Sequence, residues 1–306
     1  MAKSKNLPAH VLAITTYHEL ERYAHAFADG HLTLLVLCGE AGLGKSQYLR
    51  RALCGRGCWI DGNASAFGIY LQAHAHRNQP LVLDDVDGLY RDRQGIRLLK
   101  TLCQSDPIKT ISWNTAAAAR KDANIPRQFV TTSRVAIIAN QWQALSADVA
   151  ALEDRGHCLH FEPDALEVHR QAAGWYWDQE VFDFIGAHLH LTGQHSLRIY
   201  VLAWELKKAG LDWRQTVLSR SLQGTALEVA KLKATSTFAS QEERAQAFVA
   251  AGWGCRATFF AHAKKLRPSA PVEAIKLAHS CPPAAAKPGE DYLANLRRRF
   301  GQLGNG

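Results

Sequence analysis

The sequence predicts an α/β fold: a parallel sheet flanked by helices, then an α-helical segment and a small helical C-terminal region. Three observations lead there. Aliphatic runs alternate with helix-like segments as far as Asn140, a pattern that sets parallel strands between covering helices. A glycine-rich turn follows the first long aliphatic run and opens a helix. Beyond Asn140 strand-like segments thin out and helical periodicity takes over.

Taken in order, residues 1–30 read as a lead-in helix, polar and apolar by turns from His18 to Phe27. Leu32–Cys38 is aliphatic enough for a buried strand, and Gln47–Cys54 is the helix after the glycine turn. Cys58–Asp61 is a second strand, Ala64–Ala75 a helix, and Leu81–Asp85 a third strand. Gln94–Gln104 is helical, with Ile96, Leu98, Leu99 and Leu102 on its apolar side. Arg134–Asn140 is a further buried strand, and Pro163 marks a joint. Asp164–Gly174, Gln179–Leu189, Ser196–Lys208 and Asp212–Gly224 follow as helices. The expected organisation is a core over 1–162, a helical segment over 163–225, a linker over 226–240 and a basic region over 241–306 with a loose tail.

Composition narrows the class. The chain has 306 residues, of which 47% are hydrophobic and 21% charged, which fits a globular protein of two domains and excludes wholesale disorder. Leu32–Cys38 is the longest nearly apolar run, far short of the ~20 residues a membrane helix needs. The basic N-terminus carries no continuous apolar stretch, so neither a signal peptide nor an anchor is expected. Seven cysteines, an odd number without paired spacing, point to a reducing cytoplasm. Lys and Arg number 36 against 28 Asp and Glu, a formal net charge of +8 that suits an anionic partner such as DNA.

Gly39-Glu40-Ala41-Gly42-Leu43-Gly44-Lys45-Ser46, followed by Gln47, matches G-x-x-x-x-G-K-[ST]. The chemistry needs this spacing. Glycines let successive N–H groups turn inward around a phosphate chain. Lys45 brings positive charge to the β- and γ-phosphates of ATP, Ser46 offers a hydroxyl to Mg2+, and the following helix aims its positive dipole end at the anion. About forty residues on, Leu81-Val82-Leu83-Asp84-Asp85 is an apolar strand ending in two acids. In phosphate-loop proteins Asp84 would hold Mg2+, and Asp85 would orient or deprotonate the attacking water.

The phosphate loop, the LVLDD strand and the later RVAIIAN strand together resemble the core of an AAA+ ATPase. The resemblance covers roughly residues 10–220 and implies that Asn140, at a strand end, senses the γ-phosphate. It implies that Arg155 reaches into a neighbouring subunit's site, with Arg120, Arg127 and Arg134 as lesser candidates. It also implies a helical lid over 163–225 whose Arg198 touches the nucleotide in cis, with Ser196 as the N-cap. The family usually has Glu where this chain has Asp85, one methylene shorter. Self-assembly into a homo-oligomer such as a ring, and an unidentified protein client, follow from the same resemblance.

Gln241–Arg267 reads as two helices broken at Ala251-Gly-Trp-Gly254, and resembles a helix-turn-helix. Arg256, Thr258, His262, Lys264 and Lys265 are then the DNA-binding candidates. From 241 onward ten Lys and Arg face five Asp and Glu, the surplus that phosphate contacts need. His74 and His76, His188 and His190, and Cys54 and Cys58 lack the partners of a metal set. Trp175, Tyr176 and Trp177 read as core. The leading expectation is an ATPase that remodels DNA or a protein–DNA complex, in a replication, transposition or plasmid-type setting. The alternatives are a non-hydrolysing ATP switch and a small-molecule kinase.

Overall fold

The computed structural model describes residues 10–113, 126–140, 155–191, 196–234 and 237–266, with positions 275 and 277. It divides into two compact units at Pro163 and Asp164. In the first unit six strands form one parallel sheet in the order β1-β8-β2-β7-β4-β3. These are β1 (Leu12–Ile14), β2 (Leu34–Gly39), β3 (Cys58–Asp61), β4 (Leu81–Asp84), β7 (Val135–Ala139) and β8 (His157–Phe161). Helices α1 (Tyr17–Ala28), α2 (Lys45–Leu53), α3 (Ala66–Ala75) and α4 (Arg93–Leu102) alternate with them. The predicted α/β class is therefore the observed one.

Every residue of β2 and β7 is buried, because each strand has neighbours on both edges and helices over its faces. Leu34 pairs with Val135 and Cys38 with Ala139, while Leu83 pairs with Ile137. This parallel register sets the carboxyl ends of β2, β7 and β4 side by side, which is where open α/β sheets bind ligands. α1 starts at a capping box: Thr16 Oγ1 accepts from the Glu19 amide at 3.2 Å, and the Glu19 carboxylate accepts from the Thr16 amide at 3.0 Å.

The lead-in region differs from the expectation. Leu12–Ile14 is not helical but adds an edge strand parallel to β8. β8 itself follows Asn140, where no strand was expected. Its sequence HCLHF mixes two histidines among the apolar residues, yet Cys158, Leu159 and Phe161 are buried. An antiparallel ribbon, β5 (Lys109–Ser112) and β6 (Gln128–Thr131), is a further addition. Its inward residues include Lys109, whose Nζ donates to the carbonyls of Leu102 and Ser133 at 2.8 Å each. Burial lowers the pKa of this lysine, with Cys103 and Asp106 opposing the shift.

The second unit is helical among the described residues. It holds α5 (Ala165–Ala173), α6 (Gln179–Ala187), α7 (Arg198–Lys208), α8 (Trp213–Ser221), α9 (Thr225–Ala234), α10 (Gln241–Ala250) and α11 (Arg256–Lys265). The expected linker over 226–240 is a correction, since its first part is α9. TALEVAKLKA is poor in large apolar residues but rich in helix formers. Its Val229 and Ala230 pack with Phe248, Phe259 and Leu266, so the last three helices share one core. Lys233 donates to the carbonyls of Ala263 and Leu266 at 3.4 Å each, closing the end of α11. The loose tail and Arg297, Arg298 and Arg299 lie outside the described residues. Among the described residues no helix is long and apolar enough to cross a membrane.

Tyr176 and Trp177 are core residues, at 0% and 8% exposure. Tyr176 donates its hydroxyl to the Tyr200 carbonyl at 3.0 Å. His169 is buried against the ring of Phe182, centroids 3.9 Å apart, and its Nδ1 shares a 2.8 Å hydrogen bond with the Tyr200 hydroxyl. Burial pushes its pKa down to about 4, with Asp183 opposing. The unfolded chain takes up this proton near pH 6.5 and the folded chain only near pH 4. Stability from this group is therefore complete above the higher value and falls with acidification through that window, by at most about 3 kcal/mol. Urea unfolding of the wild type at pH 7 and pH 4.5 should show this loss, and His169→Phe should flatten it. An unchanged slope in the variant would refute the assignment.

Candidate nucleotide site and helical C-terminal face

Gly39 closes β2 where the chain passes close to β8: a Cβ there would run into the Phe161 carbonyl. The loop then exposes Glu40 and Ala41, buries Leu43, and reaches Gly44, which adopts the left-handed conformation at φ +80°. Gly44 is the N-cap of α2 and supplies no side-chain cap. The first amides of α2, at Lys45, Ser46 and Gln47, thus start a helix whose N-terminus suits an anion.

Lys45 is 5% exposed. Its Nζ donates to the carbonyls of Gly39 at 2.6 Å and Glu40 at 2.8 Å, and to Asn140 Oδ1 at 3.3 Å. Asn140, immediately after β7, donates Nδ2 to Asp85 Oδ1 at 2.7 Å. Asp85, immediately after β4, is left-handed at φ +53°, and its amide donates to the Ile138 carbonyl at 3.2 Å. The phosphate-loop lysine, the strand-end amide and the candidate water-activating acid therefore form one bonded run. It spans the ends of three adjacent parallel strands.

Asp84 is 9% exposed. Burial raises its pKa, the neighbouring Ser46 hydroxyl opposes the shift, and Asp85 adds to it. Ser46 and Asp84 thus face one another, as two oxygen donors for a hard cation do. Sequence reasoning misses two further neighbours. Arg50, one helical turn after Ser46, lies over the Trp59 ring at 3.8 Å, with Asp61 at 3.6 Å. Arg50 and Trp59 both act on the Asp84 carboxyl, favouring its ionised form. An arginine at i+4 from the loop serine is the one signal that could have flagged this pair.

Arg155 has a partner within its own chain. Expected to reach into a neighbouring subunit, it is half-buried and turned to its own chain, where Nη1 donates to the Lys100 carbonyl at 2.7 Å. There the guanidinium caps the carboxyl end of α4, a favourable place for a cation. Arg134 likewise donates to the Ala28 carbonyl at 3.3 Å, Arg127 is exposed, and Arg120 lies outside the described residues. Arg155→Ala should lower stability by about 1–3 kcal/mol, the worth of a charged hydrogen bond. The loss should be the same at any protein concentration in chemical unfolding. A loss that appears only in an oligomer would instead place the side chain at a subunit contact.

Arg198 is exposed at the start of α7, and its amide donates to Ser196 Oγ at 3.2 Å. Ser196 thus caps from one position before the N-cap Leu197. His195 lies outside the described residues.

In the C-terminal pair, Phe248 on α10 packs on Phe259 of α11 at 5.7 Å. Lys264 and Lys265 are exposed. The other three DNA-binding candidates are less free than expected. Arg256 gives Nε and Nη2 to the two carboxylate oxygens of Glu242, at 2.7 Å each. Thr258 Oγ1 shares a 3.2 Å hydrogen bond with Cys255 Sγ, and Thr258 and His262 are both half-buried. Arg256, at the start of α11, thus meets Glu242 at the start of α10. Among the described residues no cluster of His, Cys, Asp and Glu forms a metal set.

No family model matches the chain. Over 121 residues it is 28% identical to an uncharacterised 36.7 kDa protein from the nrdC-mobD intergenic region of Enterobacteria phage T4. The match covers 37% of each protein, so the chain spans little more than a third of that relative's length. Among solved structures, one on the structural basis of katanin self-assembly aligns over 86% of both chains at 13% identity and a TM-score of 0.40. NtrX from Brucella abortus, in complex with ADP, aligns over 94% of this chain and 62% of its own, at 11% identity and a TM-score of 0.34. At such scores the fold rests on this chain's own topology: a phosphate-loop strand inside a parallel sheet, with two acid-bearing and amide-bearing strand ends beside it.

Proposed function

We propose that this chain binds and hydrolyses Mg-ATP as an AAA+-type ATPase, and that it remodels DNA or a protein–DNA complex. The bonded run Lys45–Asn140–Asp85 is the observation that carries the ATPase reading. Lys45 donates to the carbonyls of Gly39 and Glu40 and to Asn140 Oδ1, and the charged oxygens of a triphosphate would accept stronger bonds from it. The amides from Gly42 to Gln47 cradle the phosphates. Mg2+, held by Ser46 and Asp84, would neutralise charge on the β- and γ-oxygens. Asp85 takes the proton of the attacking water, Asn140 orients it, and Arg198 contacts the nucleotide in cis. Arg155, which holds the end of α4 within its own chain, would complete a neighbouring subunit's site on assembly. A homo-oligomer, a protein client and a cytoplasmic setting belong to the same proposal and rest on the family resemblance. The nucleic-acid half rests on Lys264, Lys265 and the basic surplus of 241–306.

One feature favours the non-hydrolysing switch as second reading: Asp85 stands where the resembling family usually has the longer Glu. The fate of the labelled γ-phosphate, followed with and without DNA, separates the readings. Free phosphate, released faster with DNA, is the expected result. Binding without release would favour the switch, and label on a small acceptor would favour a kinase.

A further inference from the structure

The exposed large apolar side chains of the described residues are unevenly placed. Val249, Trp253 and Phe260 stand in the C-terminal helical pair, at 45%, 39% and 36% exposure. The core of that pair is complete without them, since Ala245, Phe248, Phe259 and Ala263 fill it. Trp253 and Phe260 are the outer ends of a chain of four rings. Trp253 contacts Phe248 at 6.1 Å, Phe248 contacts Phe259 at 5.7 Å, and Phe259 contacts Phe260 at 5.3 Å. The two inner rings are buried and hold the two outer ones in place.

Arg256, Phe260 and Lys264 recur every four residues on α11 and so share a face. All three are exposed, and Arg256 lies 5.1 Å from the Phe260 ring centroid. This face is poorly made for reading a duplex. Base edges in the major groove are read by free bidentate donors. The only guanidinium on α11 has its fork filled by Glu242, which also sets a negative charge where phosphates would approach. The exposed Phe260 ring, sharing its face with Lys264, suits another ligand: unpaired bases stack on aromatic faces while lysines follow the backbone.

We propose that Trp253 and Phe260 form a stacking platform for single-stranded nucleic acid, with Lys264 and Lys265 holding its phosphates. The assignment rests on the nucleic-acid half of the proposed function and names its ligand class.

Binding of the full chain to a labelled single strand, and to the duplex of the same length and sequence, tests it by fluorescence anisotropy at fixed salt. The single strand should bind at least tenfold more tightly, and Trp253→Ala with Phe260→Ala should weaken it about ten- to a hundred-fold. The same pair should leave weak duplex binding unchanged. Trp253→Tyr with Phe260→Tyr should restore the affinity. Lys264→Ala with Lys265→Ala should weaken both ligands and flatten the salt dependence. Duplex binding as tight as single-strand binding, or ring variants without effect, would overturn the platform and leave the nucleic-acid reading standing. Binding of neither ligand would overturn both. A ring variant that instead lowers the assembly mass in light scattering would identify a subunit contact and overturn the platform.

Discussion

Asp85→Asn lowers steady-state phosphate release by about 10²–10⁴-fold, the contribution of a positioned general base, and leaves Mg-ATP affinity nearly unchanged. The substitution separates charge from shape. The amide oxygen still accepts from Asn140 Nδ2, now 2.7 Å from the carboxylate, and Asn tolerates the left-handed backbone at φ +53°. Only the ability to take a proton is removed. Asp85→Glu should keep turnover, because the longer side chain carries the same base. Product release assays with equilibrium binding on the same preparations check both. Turnover in the amide variant within a few-fold of wild type would remove Asp85 from the chemistry.

Lys45→Met lowers turnover by about 10²–10³-fold, the cost of one lost charge-stabilising donor, and weakens Mg-ATP binding as well. Lys45 is 5% exposed, and its Nζ donates to the carbonyls of Gly39 and Glu40 and to Asn140 Oδ1. Thermal unfolding with and without Mg-ATP separates binding from folding: the nucleotide should raise the melting temperature of the wild type and leave that of the variant nearly unchanged. An equal rise in both proteins would mean that Lys45 does not hold the phosphates.

The strands that carry the site were legible because they are central. β2, β4 and β7 are covered on both faces and read as unbroken aliphatic runs. The edge strand β1 was hidden by its length, three residues. β5 was hidden by Lys109, which a sequence reading sets outside but which turns inward to two carbonyls. Lys45, Ser46, Asp84 and Asp85 come from motif spacing, and Asn140 from the resemblance to the AAA+ core. What the spacing could not give is contact across the chain. Arg155 meets Lys100 from 55 positions away, and Arg256 meets Glu242 from 14. Each contact gives a guanidinium an intrachain partner that no local pattern announces. The linker was misread for the converse reason: α9 buries small residues, so a count of large ones undervalues it.

The central claim is that the Lys45–Asn140–Asp85 run turns over Mg-ATP. Steady-state phosphate release from Mg-ATP, for the wild type and Lys45→Met side by side, with and without single-stranded DNA, tests it most directly. The expected result is release in the wild type that rises with DNA and disappears in the variant. No release from a wild type that binds Mg-ATP, or equal release from both proteins, would contradict it.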